Sequence, residues 1–238
     1  AENVVLNNGK KIPADLVICN ADPPTVYSEM LPSEYSRDSL LKPKKFTHYS
    51  MGLYVLFFGS KKKFSDVAHH TIWMSERYKE LLHDIFEKKI LTEDFSLYLH
   101  RPTATDDTFA PEGCDSFYVL CPVPNLQGNV QWNSEGPKLK DRIVEALDKT
   151  IMPGLKENIE AEFWMTPEDF KNDYRSKYGA GFSVAPIFSQ SAWFRYHNKD
   201  KKIPNLYFSA AGSHPGAGIP GVLCSAKVIE KLIIKDFK

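Results

Sequence analysis

Three glycines near the end of the chain, Gly216, Gly218 and Gly221, have the spacing G-x-G-x-x-G. The chemistry that needs this spacing is the holding of a pyrophosphate. It asks for bends at positive φ, close backbone approach, and a helix N-terminus behind them. The flanks agree. Leu206 to Ala211 is an apolar run that predicts a buried strand, and Val222, Ala226, Ile229 and Ile233 recur at helical spacing, with Pro220 suited to the first helical turn. An ordinary dinucleotide fingerprint, however, opens a βαβ unit whose second strand ends in an acidic residue. Here Asp236 falls at the end of the helix and the sequence stops at Lys238, so that reading is set aside. Two expectations stay open: a glycine-lined helix start that closes onto something held elsewhere, or a tight strand-to-helix connection with no ligand.

Other chemistries find less support. The seven histidines include no H-E-x-x-H, and no Cys/His spacing resembles a zinc site. His69 and His70, as neighbours on a strand, should point to opposite faces, so no metal is expected. No G-x-S-x-G elbow presents a serine nucleophile, and Ser213 reads as a loop hydroxyl near a ligand. Thirty basic and thirty acidic residues give zero formal net charge, which offers no basic excess for nucleic acid. The four cysteines form no C-x-x-C and fit free thiols in a reducing compartment.

The stretch Gly212-Ser213-His214-Pro215-Gly216-Ala217-Gly218-Ile219-Pro220-Gly221-Val222, followed by Ser225-Ala226-Lys227, resembles the C-terminal flavin motif of the bacterial and fungal type phytoene desaturases. Phe95 to His100, Ala110 to Cys114, Tyr118 to Leu120 and Gln190-Ser191-Ala192-Trp193-Phe194-Arg195 are similar to that family in the same order, so the resemblance runs from about Val4 to Ile233. It implies a mixed α/β fold, the C-terminal part of an amine-oxidase-like two-domain flavoprotein, whose N-terminal Rossmann half lies outside this sequence. It implies FAD as cofactor, with Gly212, Ser213, His214, Gly216, Gly218, Ile219, Pro220, Gly221 and Val222 beside it. It also implies desaturation of phytoene, a C40 hydrocarbon of carotenoid biosynthesis, by hydride transfer to the flavin and proton loss from the neighbouring carbon. Arg195 and His197, just before the flavin strand, are candidates to stabilise charge or take the proton; the alternatives are a surface arginine and a loop histidine. Such a substrate resides in membranes, so the resemblance implies a cytoplasmic protein docked on the bilayer surface, partnered by its own N-terminal half. A C30 desaturase, a ketolase, an isomerase or a non-catalytic lipid-binding fragment are the other readings.

The elements that must position these residues follow from pattern. Val4 to Ile12 predicts a hairpin turning at Asn8-Gly9, and Ala14 to Asp22 a strand covered on both faces. Together, residues 1–22 and 177–238 are assigned to the flavin domain and 23–176 to a substrate domain. Thr25 to about Lys45 is polar and broken by Pro32 and Pro43, which reads as a linker. Ser50 to Gly59 is the most apolar run, a buried strand or a membrane-contacting element, and is too short to span a bilayer. Trp73 to Phe86 has amphipathic helical spacing. Phe95 to His100 and Phe117 to Val123 predict a pair of strands, Pro137 to Ile151 a helix, and Ile159 to Met165 a half-exposed strand. A capping box at Thr166 to Asp169 starts a further helix. Gly128 lies in a predicted loop of the middle segment, so Gly128→Ala should spare flavin binding. The aromatic share of 13% either lines a tunnel for the hydrocarbon or forms plain core.

Overall fold

The computed structural model describes residues 1–32, 34–35 and 47–237. They form two compact units, one of Ala1–Ser50, Tyr174–Lys177 and Phe182–Lys238, the other of Met51–Asp173 and Tyr178–Gly181. In the first unit, β1 (Asn3–Val5) and β2 (Lys11–Pro13) pair antiparallel across a turn in which Gly9 has φ +81°. β3 (Val17–Cys19) runs parallel to β9 (Leu206–Phe208), whose three residues are all buried. The coverage expected on both faces of β3 is found on one only. Val17 and Cys19 pack toward Val26, Tyr27, Ile203, Leu206 and Phe208, whereas Ile18, on the opposite side of the pleat, is 51% exposed. Val26 and Tyr27 lie in helical turns from Pro23 to Met30, so this unit continues past Asp22, because their burial draws the segment onto β9. Most of the expected linker lies outside the described residues.

The second unit is built on a five-stranded antiparallel sheet. β4 (Gly52–Ser60), β5 (His70–Trp73), β6 (Leu97–His100), β7 (Asp115–Val123) and β8 (Ile159–Met165) lie in the order β5-β6-β7-β4-β8. The most apolar run of the sequence is thus the inner strand β4, paired along its full length with β7 and flanked by β8. Along β7 buried and half-buried residues alternate, which gives the sheet two unlike faces. One face packs Tyr54, Leu56, Phe58, Phe117, Val119 and Cys121 against Leu139, Ile143 and Leu147 of the helix Trp132–Lys149. The other carries Phe57, Tyr118 and Phe163. The helix Pro167–Tyr174 starts as its capping pattern requires, with the Asp169 carboxylate accepting from the Thr166 N–H at 2.7 Å and hydroxyl at 2.8 Å. No helix among the described residues is long and apolar enough to cross a membrane.

Four local expectations need correction. The helix predicted from Pro137 begins at Trp132, five residues earlier. Trp132 is 2% exposed and stacks on Tyr54 at 6.3 Å, and the Tyr54 hydroxyl donates to the Gly136 carbonyl, so packing outweighs the hydrogen bond that Pro137 removes. The helix predicted from Trp73 forms only over Tyr78–His83 with an irregular turn to Lys88, because Thr71, Ile72 and Trp73 pair with β6 instead. Gly128 is not tolerant of replacement, since an added Cβ would lie 2.2 Å from the Lys89 carbonyl oxygen. Finally, the rings of His69 and His70 do not diverge. His69 precedes β5, escapes its alternation, and stacks on His70 at 4.4 Å between centroids.

One buried ion pair fixes the loops beside β5 and β7. Asp115 accepts from Arg101 Nε at 3.0 Å, Thr103 Oγ1 at 2.7 Å and the Phe64 N–H at 2.6 Å, with both charged side chains at most 8% exposed. Removing one partner strands the other charge in the interior. Asp115→Ala should therefore destabilise by about 3–5 kcal/mol, read as a lowered denaturant midpoint at unchanged m-value, whereas Lys61→Ala, whose ion pair with Glu160 is exposed on both sides, should move it by about 0–1 kcal/mol.

Candidate functional site

β9 leads into the stretch that the sequence singled out, and the structure divides its residues by task. Gly212 is required by packing, because an added Cβ would lie 2.5 Å from Pro23 Cδ and 2.6 Å from Ser183 Oγ. Ser213 is fully buried, and its hydroxyl accepts from the Ala210 N–H and donates to the Ala210 carbonyl. It closes a turn and is not a hydroxyl offered to a ligand. Gly221 is needed for the first helical turn to rest on the preceding loop, with a Cβ there 2.6 Å from the Gly216 oxygen.

From Ala217 to Pro220 the turn is exposed. Gly216 has φ +146° and Gly218 φ +93°, and a Cβ on Gly218 would meet nothing within 4 Å. Gly218 is the N-cap of the helix Ile219–Asp236, Pro220 sits in its first turn, and no side chain caps it. The Val222 N–H donates to the Gly218 carbonyl at 2.9 Å, closing the first turn. Ile219 is 79% exposed. A cleft of about 400 Å³ lies at this helix start, lined by Phe182, Pro186, Ser191, Arg195 and the backbone from Pro215 to Gly218. An 18-residue helix places partial positive charge at such an end.

Arg195 is 3% exposed, which removes the surface-arginine reading. Its Nε donates to the Ala211 carbonyl at 2.9 Å, Nη1 to those of Val184 and Gln190 at 3.1 and 3.3 Å, and Nη2 to that of Phe182 at 2.8 Å. The guanidinium thus ties the 182–190 loop to the glycine stretch while one side of it borders the cleft. The rings of His197 and His214 each stand near-perpendicular to that of Trp193, at 5.1 and 6.3 Å between centroids. His214 Nδ1 is buried with no hydrogen-bond partner among the described residues. A buried polar atom without a partner is uncommon and marks where an acceptor or donor is missing.

Comparison with known proteins gives the family of the chain. The family model of the flavin containing amine oxidoreductases matches residues 2–228. The chain belongs to this family. Within it, the chain is 45% identical over 239 residues to a lycopene-forming phytoene desaturase of Pantoea ananas, covering 99% of this chain and 48% of that protein. It is 43% identical over 241 residues to a neurosporene-forming phytoene desaturase of Rhodobacter capsulatus, covering 98% and 45%. The chain therefore spans about half the length of these relatives. A solved oxidoreductase structure from Methanosarcina mazei matches 96% of this chain and 48% of its own, with TM-score 0.52 at 15% identity, which supports the fold alone. The mixed α/β architecture and the resemblance carried by the glycine stretch are borne out.

The residues fit a flavin of this family in two ways: an uncapped helix N-terminus and a positive-φ glycine facing open space. Sequence reasoning missed two residues that organise the site. Asp22 accepts from Ser183 Oγ and from the Lys177 N–H, and burial pushes its carboxyl above the usual range. Asn198 donates to the Phe208 and His214 carbonyls, joining β9 to the glycine stretch. Asp22 stood at the end of a predicted strand and Asn198 next to a candidate histidine, but nothing in the pattern distinguished their polar side chains from ordinary turn residues.

Burial, then the charges of Lys201 and His214, hold the His197 imidazole below its ordinary range. A depressed histidine binds its proton less well folded than unfolded, so its contribution to stability is present above about pH 6.5 and lost as pH falls through the folded value. His197 should titrate below about pH 6.5 in an NMR titration of the ring protons, and on acidification through this window the parent chain should lose more stability than His197→Gln.

Proposed function

We propose that this chain is the C-terminal half of an FAD-dependent phytoene desaturase, closing the flavin site and binding the hydrocarbon. The observation that carries the reading is similarity along 99% of the chain to proteins of that activity, with the strand, glycine turn and helix intact. Bound FAD supplies the acceptor for the hydride that leaves the substrate. The chain's own residues do the rest. Gly218 lets the backbone approach the ring, and the helix start at Ile219 to Val222 favours negative charge there by about 0.3–2 kcal/mol. His214 lies against the Trp193 ring beside this turn, and neutral His197 is the candidate to accept the proton. Arg195 acts through the loop it holds.

The second face of the five-stranded sheet supports the substrate class. Phe57 stacks on Phe163 at 4.5 Å, Tyr118 tilts against Phe57 at 5.5 Å, and a groove of about 340 Å³ runs over them. Phe163 is 59% and Ile72 62% exposed on this unit. Such a surface holds a polyene by dispersion and burial, with no directional polar contact for a hydrocarbon to satisfy. Docking on a bilayer surface, where such a substrate dissolves, belongs to the same proposal.

Joined to the N-terminal half of a related phytoene desaturase and supplied with phytoene in liposomes without NAD, the chain should yield more unsaturated carotenes. A folded, flavin-loaded hybrid that leaves phytoene unchanged would sink the reading, and one that makes only oxygenated products would favour a ketolase. In the same hybrid, Gly218→Val should lose flavin out of proportion to its strain of about 1–2 kcal/mol. Gly59→Ala, whose added Cβ meets nothing within 4 Å, should retain it.

A further inference from the structure

Three imidazoles converge at one end of the β5–β6 hairpin, within the second unit. His70 and His100 are direct cross-strand partners, so their side chains leave the same face. The His69 carbonyl accepts the Arg101 N–H at 2.9 Å, which sets His69 beside them. Ring centroids lie 4.9 Å apart for His69 and His100 and 5.2 Å for His70 and His100. One ring nitrogen from each histidine lies within 4.8 Å of the other two.

The outer hydrogen bonds orient these rings as ligands. Nδ1 of His69 meets the Thr105 hydroxyl, and Nδ1 of His70 meets the Tyr98 hydroxyl at 2.9 Å. With each Nδ1–H donated to its hydroxyl oxygen, Nε2 is left as the lone-pair side, the arrangement that metal-bound histidines adopt. His69 Nε2 then faces His100 Nε2 at 2.9 Å. Two lone pairs cannot face each other at that distance, so in the metal-free chain His100 places its proton between them. Metal entry moves that proton to the other ring nitrogen of His100, with no net proton released.

We propose that His69, His70 and His100 bind a divalent transition metal of the zinc, cobalt, nickel and copper class through three imidazole nitrogens. No carboxylate belongs to the cluster, which disfavours magnesium and calcium. Three protein donors leave further coordination positions to solvent. The platform is rigid. The Arg101–Asp115 pair, with Thr103 and Phe64 on the same carboxylate and Arg101 Nη1 on the Val67 carbonyl at 2.9 Å, fixes the segments that carry His69, His100 and Thr105.

Zinc chloride is titrated into the metal-free 238-residue chain at neutral pH by calorimetry, beside magnesium chloride, with a thermal melt of each protein recorded. One zinc equivalent should bind in the micromolar range or tighter, and magnesium should not. His69→Gln, His70→Gln and His100→Gln should each weaken zinc at least about tenfold, Thr105→Val by roughly tenfold through the lost outer hydrogen bond. The exposed His83→Gln should bind as the parent does. His70 is exposed on the hairpin, so its variant tests the site even where another variant fails to fold. A cooperatively melting chain that binds no zinc, or one whose affinity is unchanged by His70→Gln, overturns the assignment.

Discussion

A guanidinium buried among backbone carbonyls holds the first unit's site together. Arg195 has given up water, and its hydrogen bonds to four carbonyls of the 182–190 loop and the Ala211 turn replace it. Only a planar fork with several fixed donors can satisfy oxygens spread in this way. The glycine turn at Gly216 to Gly218 has no side chains of its own to anchor it, so its position derives from this clamp and from Asn198. Asp22, half-buried in the same unit, completes the set of polar side chains spent on backbone.

The glycines of one motif serve different physical ends. Gly212 and Gly221 are glycine because protein atoms occupy the space of a Cβ, whereas Gly218 is glycine where that space is open and the backbone turns through positive φ. The first two keep the connection between β9 and its helix short. The third leaves room, at an uncapped helix end, for a group that the rest of the turn does not supply. A single spacing of glycines thus encodes packing at its ends and approach at its centre.

The second unit solves a different problem, a sheet with two apolar faces. One is closed by the helix Trp132–Lys149, and its fully buried leucines and isoleucine make it core. The other keeps Phe57 in contact with Tyr118 and Phe163 and stays partly open, an exposed apolar patch. The Arg101–Asp115 pair anchors the loops at one end of this sheet, where the histidines gather.

Periodicity by itself determined the strands β4, β7 and β8, the helix after Gly218 and the hairpin at Asn8-Gly9, because each depends on local spacing of apolar residues and on glycine. The residues of the glycine stretch and the motifs before it carried the family resemblance. Tertiary structure decided what local spacing does not contain. Trp132 extended its helix across Pro137 by packing on Tyr54, β6 claimed Ile72 and Trp73 for a strand, and Arg195 proved to be a buried clamp. His100, 31 residues from His69 in sequence, meets the other two histidines only because β5 and β6 pair in one register. Contacts of that kind are set by which distant backbone segments exchange hydrogen bonds, and no window of neighbouring residues records them.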